Sequence, residues 1–236
     1  MNPNELNLPA QLELRAFRDR ATLTEALATD ISQQLEQAIK QDQQAALAVS
    51  GGRTPIALFE RLSQSPLDWQ RVQVTLVDDR WLSPDQPDSN ERLVRQHLLQ
   101  NQAAAARFVG LWQPDGSAAE SVEACNRRLE HVKQPLDLAI LGMGNDGHTA
   151  SLFPCAEQLQ QALDSERHCA AVIPGTAPHE RMTLTAQRLL ASRQRVLHLT
   201  GEDKLETLAR ALAGDEVAEM PIRLFLQQPL TLYWAP

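Results

Sequence analysis

Asp146 and His148 stand two residues apart in the stretch Gly142-Met143-Gly144-Asn145-Asp146-Gly147-His148, a carboxylate and an imidazole in a loop that its glycines keep tight. The imidazole titrates near neutrality, so it can take a proton from water and pass it on to a leaving group. The carboxylate can orient that ring and fix its tautomer, or it can stabilise the loop by accepting backbone N–H bonds. A second group is Asp78-Asp79-Arg80. Charges clustered there are costly if buried, so they are either solvated or part of a site. A third is Ser50-Gly51-Gly52-Arg53-Thr54-Pro55, a hydroxyl and free backbone N–H groups ahead of a helix, an arrangement suited to phosphate. It lacks the Gly-Lys-Ser/Thr ending of a nucleoside-triphosphate loop.

Each group follows an apolar run that reads as a buried strand: residues 136–141, 72–77 and 45–49. In an open parallel sheet the carboxyl ends of the strands lie along one edge, so the three groups converge there. The rest of the chain alternates in the same way. Thr22 and Glu25 have capping-box spacing ahead of an apolar stripe through Leu23, Leu27, Ile31, Leu35 and Ile39, and Ser117 and Glu120 repeat it before Val122, Cys125, Leu129 and Val132. Thr54 and Pro55 predict a helix start, and Gly214 a helix stop after Leu205, Leu208, Ala209 and Leu212. Residues 195–200 read as a further strand, residues 230–234 as a short strand at an edge, and residues 101–106 as a helix end or loop. The expectation is one α/β domain over residues 1–236, an open, mostly parallel, Rossmann-like sheet with helices on both faces.

Gly142, Gly144 and Gly147 also match the dinucleotide spacing G-x-G-x-x-G. That reading needs a helix opening at the glycines and an acid closing a second strand some 20 residues on. Pro154 and the polar, helix-like run after it supply neither. A net charge of −8 argues against nucleic acid or an anionic membrane as partner. The opening residues MNPNELNLPA have neither a basic nor an apolar leader segment, and no run approaches 18 apolar residues, so a cytoplasmic enzyme is expected. Cys125, Cys155 and Cys169 read as reduced thiols, and the other histidines (His97, His131, His168, His179, His198) as structural or surface residues, with no metal and no cofactor.

Three segments together, SGGRTP (50–55), VDDRW (77–81) and DLAILGMGNDGHTASLFP (137–154), resemble the glucosamine-6-phosphate isomerase/6-phosphogluconolactonase family, with weaker echoes at PHERMTLT (178–185) and at Gly201 with Lys204. Within it the resemblance is to the lactonases, which implies hydrolysis of 6-phospho-D-glucono-1,5-lactone in the oxidative pentose phosphate route. It implies a small phosphosugar lactone as partner and leaves the oligomeric state open. His148, Asp146, Arg80 and Asp78 would then be catalytic. Ser50, Gly51, Gly52, Arg53, Arg181 and Lys204 would hold the six-phosphate. The alternatives are an amino-sugar-phosphate isomerase or deaminase and a non-catalytic sugar-phosphate sensor. The deaminase pattern continues past the histidine to Asn-Glu-Pro and has Asp-Glu-Tyr at the other strand end. Here Phe153 precedes Pro154, and Asp78-Asp79-Arg80 ends the strand. Phenylalanine cannot relay a proton. Lactonase relatives more often carry Asp-Glu-Arg, so Asp79 keeps the charge with a shorter reach.

Overall fold

The computed structural model describes residues 3–236, so the first two residues of the polar opening stretch lie outside the described residues. Among the described residues, ten strands and eight α-helices follow one another as β1 (Leu12–Ala16), α1 (Arg20–Asp42), β2 (Ala45–Val49), α2 (Ile56–Ser63), β3 (Val72–Leu76), β4 (Asp78–Arg80), α3 (Asn90–His97), β5 (Arg107–Val109), α4 (Ala118–Leu129), β6 (Leu138–Leu141), α5 (Leu159–Asp164), β7 (Cys169–Val172), β8 (Arg181–Leu184), α6 (Ala186–Leu190), β9 (Gln194–Thr200), α7 (Glu202–Leu212), α8 (Ile222–Leu226) and β10 (Leu230–Ala235). Seven strands form one parallel sheet in the order β1-β10-β9-β6-β2-β3-β5. Every residue of β2, β3 and β6 is buried. Successive side chains of a strand point to opposite faces, so burial of all of them means that helices cover both.

The strand order reverses at β2. From there the chain moves outward through β3 to β5, then returns to the other side of β2 as β6 and continues to β9. Two loops that leave neighbouring strands in opposite directions open a crevice at the carboxyl ends, where ligands of such sheets bind. The loops at this point are Ser50-Gly51-Gly52 and the glycine loop after Leu141. The amino ends are tied differently. Asp137 accepts from the Ala46 amide at 2.7 Å and pairs with Lys133 at 2.7 Å and Arg193 at 3.0 Å. Among the described residues no helix is long and apolar enough to cross a membrane.

A second, antiparallel sheet of three strands, β4-β8-β7, was not foreseen. Four local expectations are corrected. The cap of α1 is Asp19, which accepts from the Thr22 amide at 2.7 Å. Thr22 therefore lies inside the first turn, and Glu25 instead reaches Arg61 at 2.8 Å. Thr54 makes no cap bond, and α2 opens after Pro55. Gly214 follows the C-cap Ala213 without a positive φ; a side chain there would collide with the Arg223 guanidinium. Residues 230–234 are not an edge strand, because β10 lies between β1 and β9, and β1 takes the edge. The Ser117–Glu120 capping box is formed as read, and residues 101–105 form a short 3-10 turn.

Candidate active site

Buried β6 ends at Leu141 and delivers the glycine loop into the crevice. The loop closes on itself: the Gly144 amide donates to the His148 carbonyl at 2.9 Å and the Gly147 amide to the Gly144 carbonyl at 3.0 Å. A Cβ on Gly144 would strike the His148 ring and the Asp146 carboxylate, so only glycine admits them both. Gly147 sits at φ 79°, where a side chain is strained, and a Cβ there would meet Met220 at 2.7 Å. No helix opens at these glycines; the next one, α5, starts at Leu159. Asp146 plays both of the roles open to it. Its Oδ1 accepts from the His148 amide at 3.1 Å and lies 2.5 Å from Nδ1 of the same residue. Burial raises the carboxyl's pKa, but the hydrogen bond from His148 and its charge outweigh that and leave it below the ordinary value. With Nδ1 committed to a carboxylate, Nε2 is the nitrogen free to accept a proton.

Phe153 is buried and stacks on the imidazole, with ring centroids 4.1 Å apart and an interplanar angle of 28°. Its other neighbour is Arg181, whose guanidinium carbon is 5.9 Å from the ring centroid. Arg181 opposes Arg80 in the β4–β8 pair. Like charges opposite one another are unfavourable, so such a pair calls for an anion. Arg181 is only 6% exposed, and among the described residues its side chain makes no hydrogen bond or ion pair. Burial lowers its pKa, while the Asp78 and Asp79 charges work the other way. Arg80 is positioned by the Asp88 carbonyl at 2.8 Å and by Asn90 Oδ1 at 3.3 Å. Ser151, which had no evident role in the sequence, donates to Asp78 at 2.5 Å.

Asp79 is buried beneath this group and does not face the crevice. It accepts from the amides of Asn90 at 2.6 Å and Glu91 at 2.9 Å, fastening the start of α3 to β4. Burial outweighs these bonds and pushes its carboxyl up to about 7. Ser50 donates to the Ile140 carbonyl at 2.9 Å, and Lys204 donates to Asn145 of the glycine loop.

Ser50, Gly51, Gly52, Asp78, Arg80, His148, Arg181 and Lys204 line one cleft of about 260 Å³, with Asp146 directly behind His148. Arg53 is exposed and not part of the wall. Asn90, Thr149, His198 and Thr200 line it without having been singled out. Of the structural and surface readings open to His198, the surface one is excluded: it is a buried wall residue of the cleft. Thr149 Oγ1, Arg181 Nε and His198 Nδ1 are all buried without a partner among the described residues. Unmet polar groups concentrated in one cleft are the mark of a polar ligand's site. Only Asn90 had a signal in the sequence, as the residue after a Ser that can cap a helix.

A family model described as glucosamine-6-phosphate isomerases/6-phosphogluconolactonase matches residues 18–234. The chain is 43% identical over 235 residues to a 6-phosphogluconolactonase of Pseudomonas aeruginosa, covering 99% of both chains. A 6-phosphogluconolactonase of Rhizobium meliloti is 43% identical over 228 residues, covering 94% of this chain and 98% of the relative. A solved 6-phosphogluconolactonase from Shewanella baltica superposes with a TM-score of 0.95 at 42% identity, over 98% of this chain and 100% of that one.

Proposed function

Because the chain belongs to the glucosamine-6-phosphate isomerase/6-phosphogluconolactonase family, we propose that its cleft opens 6-phospho-D-glucono-1,5-lactone to 6-phospho-D-gluconate with a water that His148 activates. The enzyme is a carboxylic ester hydrolase acting on a lactone, in the pentose phosphate route. His148 Nε2 takes a proton from water, and the hydroxide adds to the lactone carbonyl. The ring C–O bond then breaks, and the imidazolium returns its proton to the departing ring oxygen. Asp146, ionised at neutral pH, holds the ring and balances its transient charge. Neither nearby serine is paired with an imidazole that could activate it: Ser50 donates to a carbonyl and Ser151 to Asp78. Attack is therefore direct, with no acyl-enzyme. Arg80, held by Asn90, faces the lactone end with Asp78. Ser50, Gly51, Gly52, Arg181 and Lys204 grip the phosphate.

One observation carries this reading: a buried guanidinium with no anionic partner shares a cleft with an Asp-oriented imidazole. A phosphate answers the first and a hydrolysable ester the second. The phenyl ring of Phe153 against His148, where a deaminase needs an acid, argues against amino-sugar ring opening. The test is lactone disappearance above its spontaneous hydrolysis, with and without the six-phosphate. Wild-type enzyme that does not exceed that background, or that releases ammonia from glucosamine 6-phosphate at a rival rate, overturns the assignment.

A further inference from the structure

We propose that His198 is a further substrate-contacting residue, an uncharged hydrogen-bond donor on the floor of the cleft that engages an oxygen of the bound phosphosugar. This rests on the reading of the cleft as a phosphosugar site. His198 lies near the carboxyl end of β9, two residues before Thr200 and six before Lys204, and all three line the cleft. β6 and β9 run parallel with Leu141 opposite Leu197. One residue further along both strands, His198 stands beside Gly142, and a Cβ on Gly142 would enter open space with nothing within 4 Å. The imidazole thus borders an unfilled volume.

His198 is 5% exposed, and neither ring nitrogen makes a hydrogen bond among the described residues. Nδ1 is sealed from solvent, so Nε2 is the nitrogen left to meet a ligand. Burial pushes the pKa down to about 4, so the ring carries one proton at neutral pH. On Nδ1 that proton would be a sealed donor with no acceptor, a rarer condition in folded proteins than an unused acceptor. On Nε2 it points a donor at the cleft. A buried polar ring unpaired in the free protein costs stability, which a ligand oxygen offsets on binding. His148 differs in both respects: its Nδ1 is paired with Asp146 and its Nε2 is the proton acceptor. His198 moves no proton; it positions the substrate.

The experiment uses the reaction product, 6-phosphogluconate, which does not decay in solution, as a calorimetric probe of wild type, His198→Leu and His198→Gln. Lactone KM and kcat and the thermal midpoint are measured alongside. Leucine fills the space without a donor, whereas the glutamine amide can restore an N–H near the place of Nε2. The expected result for His198→Leu is roughly five- to tenfold weaker product binding and a KM raised by the same factor. Its kcat and thermal midpoint should be no lower than those of wild type, and His198→Gln should recover most of the loss. A purely structural histidine would give the opposite pattern, a lower midpoint with binding unchanged. Leucine binding as tightly as wild type, or glutamine no better than leucine, overturns the inference. Failure of wild type itself to bind 6-phosphogluconate overturns the reading of the cleft, and this role with it.

Discussion

His148 and Phe153 share a stacked face, so the proposed base would work beside a ring that holds it in place without exchanging protons. Replacing His148 with Asn removes the base and keeps the size class. The expected loss is about 10²–10⁴-fold in kcat with product affinity retained, which single-turnover and binding measurements separate. Arg181 and Lys204 are the charges proposed to hold the phosphate. Alanine at either should cost phosphorylated lactone about ten- to hundredfold in kcat/KM, from roughly 1.5–3 kcal/mol per charged hydrogen bond. Unphosphorylated gluconolactone should be nearly unaffected, and equal losses for both substrates would mean that these residues only hold the fold. Phe153→Glu should abolish lactone hydrolysis or fold poorly without releasing ammonia from glucosamine 6-phosphate. An unpaired carboxylate would enter a buried position, and Arg80 would still occupy the deaminase's tyrosine position. The glycine loop was legible at this scale because its chemistry is contiguous. Ser151 was not, since a serine bonded to a carboxylate more than seventy residues away leaves no local pattern.

The glycine loop depends on elements that follow it by many residues. The Gly147 carbonyl accepts from the Ile222 amide at 2.9 Å, and the Asn145 carbonyl accepts from Arg210 of α7 at 2.6 Å. Gly147→Ala should therefore both strain the turn and push Met220 away. The expectation is a destabilisation above about 1 kcal/mol and a fall in kcat, read by urea unfolding together with turnover. Wild-type values for both would show that the loop's shape does not depend on this glycine. The strands that carry the three chemical groups were legible from their apolar runs, to within a residue or two at their ends. The small sheet was not. β4 is three residues long and β7 and β8 four each, too short to predict a strand pairing, and β4 follows β3 so closely that it reads as the charged end of that strand. Only the pairing of β4 with β8 reveals that Arg80 and Arg181 are opposite one another.

Across the whole molecule, two buried groups make stability respond to acid in opposite directions. His198 titrates near 6.5 when unfolded and at about 4 when folded. The native state binds fewer protons between those values, so the contribution present above 6.5 is lost as the pH falls toward 4. Asp79 moves from 3.8 to about 7 on folding. Its contribution is present below 3.8 and lost as the pH rises through 7. At full extent they are on the order of 3 kcal/mol for His198 and on the order of 4 kcal/mol for Asp79, so wild type should vary less between pH 7 and pH 5 than either variant. His198→Gln should gain stability on acidification and Asp79→Asn should lose it, as followed by denaturant unfolding at several pH values. Parallel curves for all three proteins would remove both groups as the cause. The placement of β10 has a consequence for biosynthesis. Leu12 pairs with Leu230, and the Gly201 turn that opens α7 is held by the Ala235 carbonyl and Trp234 Nε1. On the ribosome β1 emerges more than two hundred residues before the strand that pairs with it. Until β10 arrives, Lys204 has no fixed turn to stand on. The nascent chain can assemble β2, β3 and β6 with the loop that carries His148, yet the turn beneath Lys204, one of the proposed phosphate contacts, is fixed only when β10 slots between β1 and β9.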